Sequence, residues 1–286
     1  MTIKRKLASI IPAIKRLVDE RDLARKNLHE LQTSIDSWRN SLRPFPGWDI
    51  PDWPLPYNPQ LLLQASPQRY TENYNKYLER GGLMRPDDMR GFIHGNSGCF
   101  YDRTRFLFLT MAADMISSDR ISGDIAELGV DKGNTASVLG LAAMRLGKTL
   151  YLLDTFEGFS AQDLVDMDSI HGVAFQDASL DMVRDAVNGP HVRYIKGYFP
   201  DSAQQMADNL TFCLVHLDCD LYKPFTSGLD YFWPRLVPGG FLIMHDYNSL
   251  HWDGVEKAVN TFFLNKPESI IPIPDMGGTV AVRKLK

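Results

Sequence analysis

The chain has 286 residues with a formal net charge of −4, and 44% of its residues are hydrophobic. A chain of this length can bury a sizeable core and suits one large α/β domain with an appendage, or two small domains. Lysine and arginine form no basic stripe, which argues against a nucleic-acid partner. The three cysteines lack the spacing of a zinc finger, which indicates that they are reduced thiols.

Residues 1–42 predict a long helix with a heptad repeat. Apolar side chains occupy nearly every a and d position from Leu7 to Leu42 and form one stripe along the helix, which only Arg21 interrupts. A stripe this narrow is typical of a coiled coil, so we expect a homo-oligomer formed through this helix, with packing on its own domain as the alternative. The apolar run near the start is too short to span a membrane and no cleavage site follows it, which predicts a cytoplasmic protein without a membrane span.

Residues 43–90 predict a linker and a helical cap. The stretch "RPFPGWDIPDWPLPYNP" is rich in proline and aromatic residues, which excludes a regular helix. Residues 68–80 predict a helix that ends at a pair of glycines. A further helix, largely buried, is predicted for residues 103–118.

From residue 124 onward, strand-like and helical segments alternate. The predicted strands are "DIAELGV", "TLYLLDTF", "VRYIKGYF", "FCLVHLD" and "GFLIMHD", and "SIIPIPDMGGTVAVRKL" predicts a closing hairpin. Alternation of this kind favours a parallel sheet with right-handed crossovers. The predicted class is α/β, a Rossmann-like fold with a seven-stranded, mostly parallel sheet and helices on both faces, in a domain covering residues 91–286.

The first predicted strand leads into a glycine-containing turn, "AELGVDKGNTA". Gly129 and Gly133 flank this turn, and we expect Asn134 and Thr135 to cap the helix that follows. Asp131 stands where a dinucleotide fingerprint requires glycine, and its carboxylate would repel a pyrophosphate. The turn therefore favours a cationic ligand without phosphate, and S-adenosylmethionine has these properties.

Acidic residues end three of the predicted strands. Asp154 ends the second strand, where a ribose diol would be held. In "LVHLDCDLYKP" the apolar run is followed by Asp218 and Asp220, and in "GGFLIMHDYN" it is followed by His245 and Asp246. The carboxyl ends of parallel strands meet at one edge of a sheet, so these groups predict a site for a divalent cation there. The alternative for the first acidic pair is that it caps a turn.

In this order the motifs resemble those of the macrocin-type O-methyltransferases, a metal-dependent branch of the class I S-adenosylmethionine enzymes that methylates sugar hydroxyls on antibiotics. The resemblance runs from about residue 90 to the end and includes "LLDTFEGF", "SLDMVRDAV", "VRYIKGYFPDS" and "PGGFLIMHDY". It implies the class I methyltransferase fold and methyl transfer to a hydroxyl of a sugar, a glycosylated natural product or another glycan. The residues that it implies for the cofactor are Glu127, Gly129, Gly133, Asp154, Thr155, Phe156, Gly197 and Tyr198. We also expect Asn134 and Thr135, which follow the glycine turn, to contact the cofactor.

The resemblance also implies a metal site and a general base. Asp218, His245 and Asp246 would be the metal ligands, and Asp218 would also be the base. From their positions beside these motifs, we also expect Asp220, Tyr222 and Tyr247 on the substrate side. The family usually carries Asp-Asp-Tyr at the last of these motifs, where this chain has histidine first. We expect Mg²⁺, with a transition metal as the alternative because imidazole suits transition metals better.

Two alternative functions share this fold. One is a catechol-type O-methyltransferase, although the related catechol enzymes carry a lysine three residues after the first metal aspartate, where this chain has Leu221. The other is a catalytically impaired cofactor-binding or assembly module, which the departure at His245 leaves open.

Overall fold

The computed structural model describes residues 21, 23–28, 33, 103–249, 251–275 and 277–285. The chain divides into two compact units, Met1–Gln64 and Ala65–Lys286. The described residues of the first unit are helical, and Leu28, an a position of the predicted heptad, is 63% exposed. The remainder of the predicted heptad helix and all of the linker and cap at 43–90 lie outside the described residues, so self-association and the boundaries at 42 and 90 stay predictions.

The described part of the second unit begins with helix α1 (Arg103–Ser118), as predicted. Strands and helices then alternate in the order β1 (Asp124–Leu128), α2 (Asn134–Leu146), β2 (Leu150–Asp154), α3 (Leu180–Ala186), β3 (Val192–Lys196), β4 (Phe212–Leu217), α4 (Tyr222–Arg235), β5 (Leu236–Met244), α5 (Asp253–Phe263), β6 (Ile271–Pro272) and β7 (Val280–Arg283). Short 3₁₀ helices lie at Asp166–Ile170 and Asp201–Gln205. The sequence "SAQQMADNL", at 202–210, predicts a longer helix than the second of these, which ends at Gln205.

The described strands form a seven-stranded sheet in the order β3-β2-β1-β4-β5-β7-β6. Strands β1 to β5 pair in parallel, and β7 runs antiparallel to both β5 and β6. This confirms the predicted Rossmann-like sheet with its closing antiparallel pair. Because the strand order reverses between β1 and β4, a crevice opens at the carboxyl ends of these two strands, where open α/β sheets bind ligands.

Apolar clusters cover both faces of the sheet. One cluster joins α1, α2 and α3 to the sheet and includes Phe106 and Leu139. The other joins α4 and α5 to the opposite face and includes Phe225 and Val259. Every residue of β4 is buried, as expected for a central strand covered on both sides. Within the described ranges, no helix combines the length and apolarity needed to cross a membrane.

Phe232 provides a test of the α4–α5 cluster. Its buried ring stacks on Phe199 at 5.9 Å and meets Phe212 edge-on at 5.3 Å between centroids. Phe232→Ala should lower the free energy of unfolding by about 3–5 kcal/mol, because it removes a buried ring and leaves a cavity. Met144 is 54% exposed on α2, so Met144→Ala is the control and should change stability by less than about 0.5 kcal/mol. Urea unfolding measures both, and equal losses would contradict the core position of Phe232.

Candidate active site

A cavity of about 350 Å³ lies at the carboxyl ends of the central strands. It is lined by residues that follow β1, β2, β3, β4 and β5, together with residues of the loop between β2 and α3. The predicted site residues among its lining are Glu127, Gly129, Asn134, Thr135, Asp154, Thr155, Gly197, Tyr198, Asp218, Asp220, His245 and Asp246. The fold thus brings residues from five strand ends to one cavity.

Four predicted site residues lie outside the lining that the described residues form: Gly133, Phe156, Tyr222 and Tyr247. Gly133 faces α3, where an added Cβ would lie 3.2 Å from the Cβ of Ala186. Phe156 is buried in the core, and the Tyr247 hydroxyl donates to Asn260 Oδ1 at 2.7 Å. Gly133 and Phe156 both have positive φ, +86° and +55°, so they shape the turns that carry the site.

Asp154 holds the glycine turn in place. Its Oδ2 accepts hydrogen bonds from the backbone amides of Val130 (2.6 Å) and Asp131 (3.3 Å). Its Oδ1 accepts one from the amide of Phe156 at 2.7 Å. The carboxylate therefore ties the end of β2 to the turn after β1, in addition to the ribose contact predicted for it.

Helix α2 begins without the predicted side-chain cap. Gly133 is its N-cap, in the left-handed conformation, and no capping side chain accepts a hydrogen bond from the first backbone amides of the helix. The predicted capping by Asn134 and Thr135 is therefore wrong, and both residues line the cavity instead. Asn134 Oδ1 is buried and has no hydrogen-bond partner within the described structure. A buried acceptor of this kind is available to a ligand in the cavity.

Glu127 forms part of the cavity wall and is 1% exposed. The pairing of β1 with β4 places it opposite His216, and Glu127 Oε1 shares a hydrogen bond with His216 Nδ1 at 3.0 Å. Glu127 Oε2 has no partner within the described structure. Burial raises the pKa of Glu127 well above its ordinary value, and the charge of Asp218 raises it further. The protonated form of Glu127 is therefore favoured in the ligand-free protein, and a cationic ligand at Oε2 would favour the ionised form.

Asp218, His245 and Asp246 meet at the ends of β4 and β5. His245 Nδ1 lies 2.7 Å from Asp218 Oδ1 and 2.8 Å from Asp246 Oδ2. One donor atom from each residue lies within 4.8 Å of the others. Two ligands at right angles, each about 2.1 Å from a small divalent cation, are about 3 Å apart. The three residues therefore fit a divalent cation.

Two further residues of this cluster, Arg105 and His216, were not predicted from the sequence. Arg105, on α1, donates from Nη1 to Asp218 Oδ2 at 2.6 Å, and this nitrogen lies 3.5 Å from His216 Nε2. Both side chains are buried. The signals that could have identified them are an arginine beside the apolar run "FLFL" and a histidine inside the apolar strand "FCLVHL".

The two acids that follow β4 differ in their electrostatics. Burial alone would raise the pKa of Asp218, but His245 and Arg105 outweigh it and hold this pKa well below its ordinary value. Burial raises the pKa of Asp220 well above its ordinary value, and the charges of Asp246 and Asp218 raise it further. Asp218 is therefore ionised at neutral pH, whereas Asp220 favours its protonated form.

Aromatic side chains form another part of the cavity wall. Phe159 meets Phe175 at 5.0 Å and Trp252 at 5.6 Å between ring centroids, both edge-on. The loop that carries Phe159 and Phe175 is anchored where the Tyr198 hydroxyl donates to Asp163 Oδ1 at 2.7 Å. The cavity thus has an apolar side and an acidic side, which suits a ligand with both kinds of surface.

Residues 97–275 match the model of the Macrocin-O-methyltransferase (TylF) family. The chain belongs to this family. The match confirms the family predicted from the sequence, which is one of S-adenosylmethionine-dependent O-methyltransferases.

Two relatives have assigned activities. The 8-demethyl-8-(2,3-dimethoxy-alpha-L-rhamnosyl)-tetracenomycin-C 4'-O-methyltransferase of Streptomyces olivaceus is 28% identical over 153 residues, which are 49% of this chain and 58% of that protein. The mycinamicin III 3''-O-methyltransferase of Micromonospora griseorubida is 27% identical over 146 residues, 45% of this chain and 57% of that protein. The chain therefore spans less than two thirds of either relative.

Solved structures support the fold. The O-methyltransferase NovP has a TM-score of 0.54 at 20% identity, over 64% of this chain and 81% of NovP. The calicheamicin methyltransferase CalS11 has a TM-score of 0.53 at 16% identity, over 75% of this chain and 91% of CalS11. At these identities the likeness shows the shared fold.

Gly129 provides a test of the glycine turn. Its φ is +82°, and an added Cβ would lie within 3.0 Å of the backbone oxygen of Asp218. Gly129→Ala should lower the free energy of unfolding by about 2–5 kcal/mol, because backbone strain and a backbone collision add. Gly147 also has positive φ, +64°, but nothing lies within 4 Å of its added Cβ. Gly147→Ala is therefore the matched control, with a loss of about 1–2 kcal/mol.

Chemical denaturation of both glycine variants measures the difference. A loss for Gly129→Ala no greater than that for Gly147→Ala would show that the turn relaxes without a collision.

Proposed function

We propose that this chain is a metal-dependent O-methyltransferase that transfers the methyl group of S-adenosylmethionine to a hydroxyl of a sugar, on a glycosylated natural product or another glycan. One observation carries the proposal: a single cavity is lined by the glycine turn, by Asp154 and by the acids that end β4 and β5. The family match supports it. So do the names of the two relatives, which describe O-methylation of a rhamnosyl derivative of tetracenomycin C and of mycinamicin III.

The cofactor residues are proposed from the polar atoms that face the cavity. S-adenosylmethionine supplies the methyl group from a sulfonium centre when bound. Glu127 Oε2 and Asn134 Oδ1 are buried acceptors without partners in the described structure, so they suit the ammonium end. Asp154 and Thr155 line the cavity after β2, and Gly197 lines it after β3, where they suit the ribose and the adenine.

The metal residues are proposed from the cluster at β4 and β5. A divalent cation held by Asp218, His245 and Asp246 would favour ionisation of a sugar hydroxyl and orient neighbouring oxygens. Arg105 donates a hydrogen bond to Asp218 Oδ2, and the other oxygen, Oδ1, lies next to His245 Nδ1. Asp218 lines the cavity and is therefore the proposed proton acceptor for the hydroxyl. Mg²⁺ suits the carboxylates of this set, and a transition metal suits its imidazole.

The cavity wall argues against the catechol-type alternative. At the position of the lysine that the catechol enzymes carry, this chain has Leu221, which is buried and lines the cavity. An apolar side chain there cannot accept a proton from a phenol.

Asp218→Asn tests the proposed chemistry. The change removes a negative ligand and the proton acceptor, so kcat for methyl transfer should fall by at least about 100-fold. The affinity for S-adenosylhomocysteine should stay within about threefold of wild type, because Glu127, Asn134 and Asp154 are unchanged. Calorimetry measures the affinity, and a panel of glycosides assayed with Mg²⁺ and with Mn²⁺ measures turnover. Asp185→Asn, an exposed change on α3, is the control.

The outcomes separate the alternatives. No binding of S-adenosylhomocysteine by the wild type would contradict the methyltransferase proposal. Tight binding without turnover of any glycoside would favour the impaired module, and turnover of simple catechols would favour the catechol-type enzyme. Near-normal activity of Asp218→Asn would contradict its role as ligand and base.

We also propose that the heptad helix at 1–42 joins copies of the chain. The apolar residues at nearly every a and d position from Leu7 to Leu42 support this, because such a stripe is buried between the helices of a coiled coil. Deletion of residues 1–42 should reduce the particle mass in light scattering by about half or more, as expected when a two-stranded or larger coiled coil is lost. A mass that falls only by the weight of the deleted segment would show that the helix packs within its own chain.

A further inference from the structure

Gly277 lies directly against the ring of His245. A Cβ built on Gly277 would lie within 3.0 Å of both Nε2 and Cε1 of that ring. His245 follows β5 and Gly277 precedes β7, and these two strands are antiparallel neighbours with Met244 paired to Val280. The sheet itself therefore holds the backbone of Gly277 at this short distance.

The opposite side of the ring faces the acids. His245 Nδ1 lies 2.7 Å from Asp218 Oδ1 and 2.8 Å from Asp246 Oδ2. The backbone amide of His245 donates to Leu217 O at 2.9 Å, which ties the residue to β4. A ring held at both edges has little freedom to turn, so Nδ1 stays directed at the carboxylates.

The absence of a side chain at position 277 leaves room for the imidazole of His245, which extends further from the backbone than an aspartate would. Any side chain at 277 would have to displace the imidazole, and the displacement would move Nδ1 away from Asp218 and Asp246. An aspartate at position 245 would be shorter and would not need this space. Histidine at 245 and glycine at 277 are therefore physically coupled.

We infer that Gly277 is a positioning residue that admits the histidine at 245 and keeps its Nδ1 on the metal side, so that the site gains a nitrogen ligand and prefers a transition ion such as Co²⁺ over Mg²⁺. The inference rests on the proposed metal site. Mg²⁺ takes oxygen ligands in nearly ideal octahedra, whereas imidazole nitrogen binds transition ions more strongly. The carboxylates serve either ion, so the nitrogen determines the preference.

Calorimetric titration of the metal-free full-length chain with Co²⁺ and with Mg²⁺ tests this inference. Wild type should bind Co²⁺ at least about tenfold more tightly than Mg²⁺. Gly277→Ala should weaken Co²⁺ binding by about 10–100-fold, the usual effect of disturbing a residue that orients a ligand. It should also change the visible absorption of bound Co²⁺, and leave the affinity for S-adenosylhomocysteine within about twofold.

Two further variants sharpen the test. Gly172→Ala is the matched control, because nothing lies within 4 Å of its added Cβ, and it should bind both ions as wild type does. In the double variant His245→Asp/Gly277→Ala, the shorter aspartate leaves room for the new methyl group. This variant should recover cation binding, now with Mg²⁺ favoured relative to wild type.

Specific results would overturn the inference. They are a wild-type Co²⁺ affinity and spectrum for Gly277→Ala, a double variant that binds no better than Gly277→Ala, or a wild type that binds Mg²⁺ more tightly than Co²⁺. A wild type that binds neither ion would instead overturn the proposed metal site, and the inference with it. If Gly277→Ala does not fold, His245→Asp alone decides: its preference for Co²⁺ over Mg²⁺ should fall at least about tenfold, and an unchanged preference overturns the inference.

Discussion

Charge pairing at the end of β4 is the constraint on which the rest of the candidate site depends. Asp218 has lost most of its hydration, and an unpaired buried carboxylate costs about several kcal/mol. Arg105 supplies the opposite charge at 2.6 Å, and it comes from α1, which precedes the alternating strands and helices. The apolar packing of α1 on the sheet, through side chains such as Phe106 and Leu109, therefore delivers the cation that these acids require.

The pairing leaves other acidic groups uncompensated in the described part of the chain. Glu127 shares one oxygen with His216, while its second oxygen has no partner there. Asp220 lies beside Asp246, and burial together with this neighbour raises its pKa. Buried acids that lie at an open cavity, rather than deep in the core, are stabilised when a cationic group enters. Because burial and neighbouring charges raise the pKa values of Glu127 and Asp220, a cationic group at the cavity would favour the ionised form of both acids.

The parts of the structure that follow from local patterns could be predicted from the sequence. Apolar runs that alternate with helical segments predict a parallel sheet, and the carboxyl ends of its strands lie at one edge. The sequence alone therefore predicts that Asp218 and Asp246 lie close together. The contact of Arg105 with Asp218 could not be predicted, because the two residues are 113 positions apart and no sequence motif relates them. Gly277 likewise reaches His245 only through the pairing of β5 with β7.

Residue type did not predict the local contacts correctly in the glycine turn, because backbone groups make contacts there that were predicted for side chains. Asn134 is a good N-cap by residue type, yet the left-handed Gly133 occupies that place. Asp154 was predicted to bind a ligand, and it already accepts the amides of Val130 and Phe156. Each carboxylate oxygen can accept more than one hydrogen bond, so holding the turn does not prevent contact with a ribose. One carboxylate can therefore fix the shape of the glycine turn before a ligand arrives, and this preorganisation reduces the conformational entropy that binding would otherwise cost.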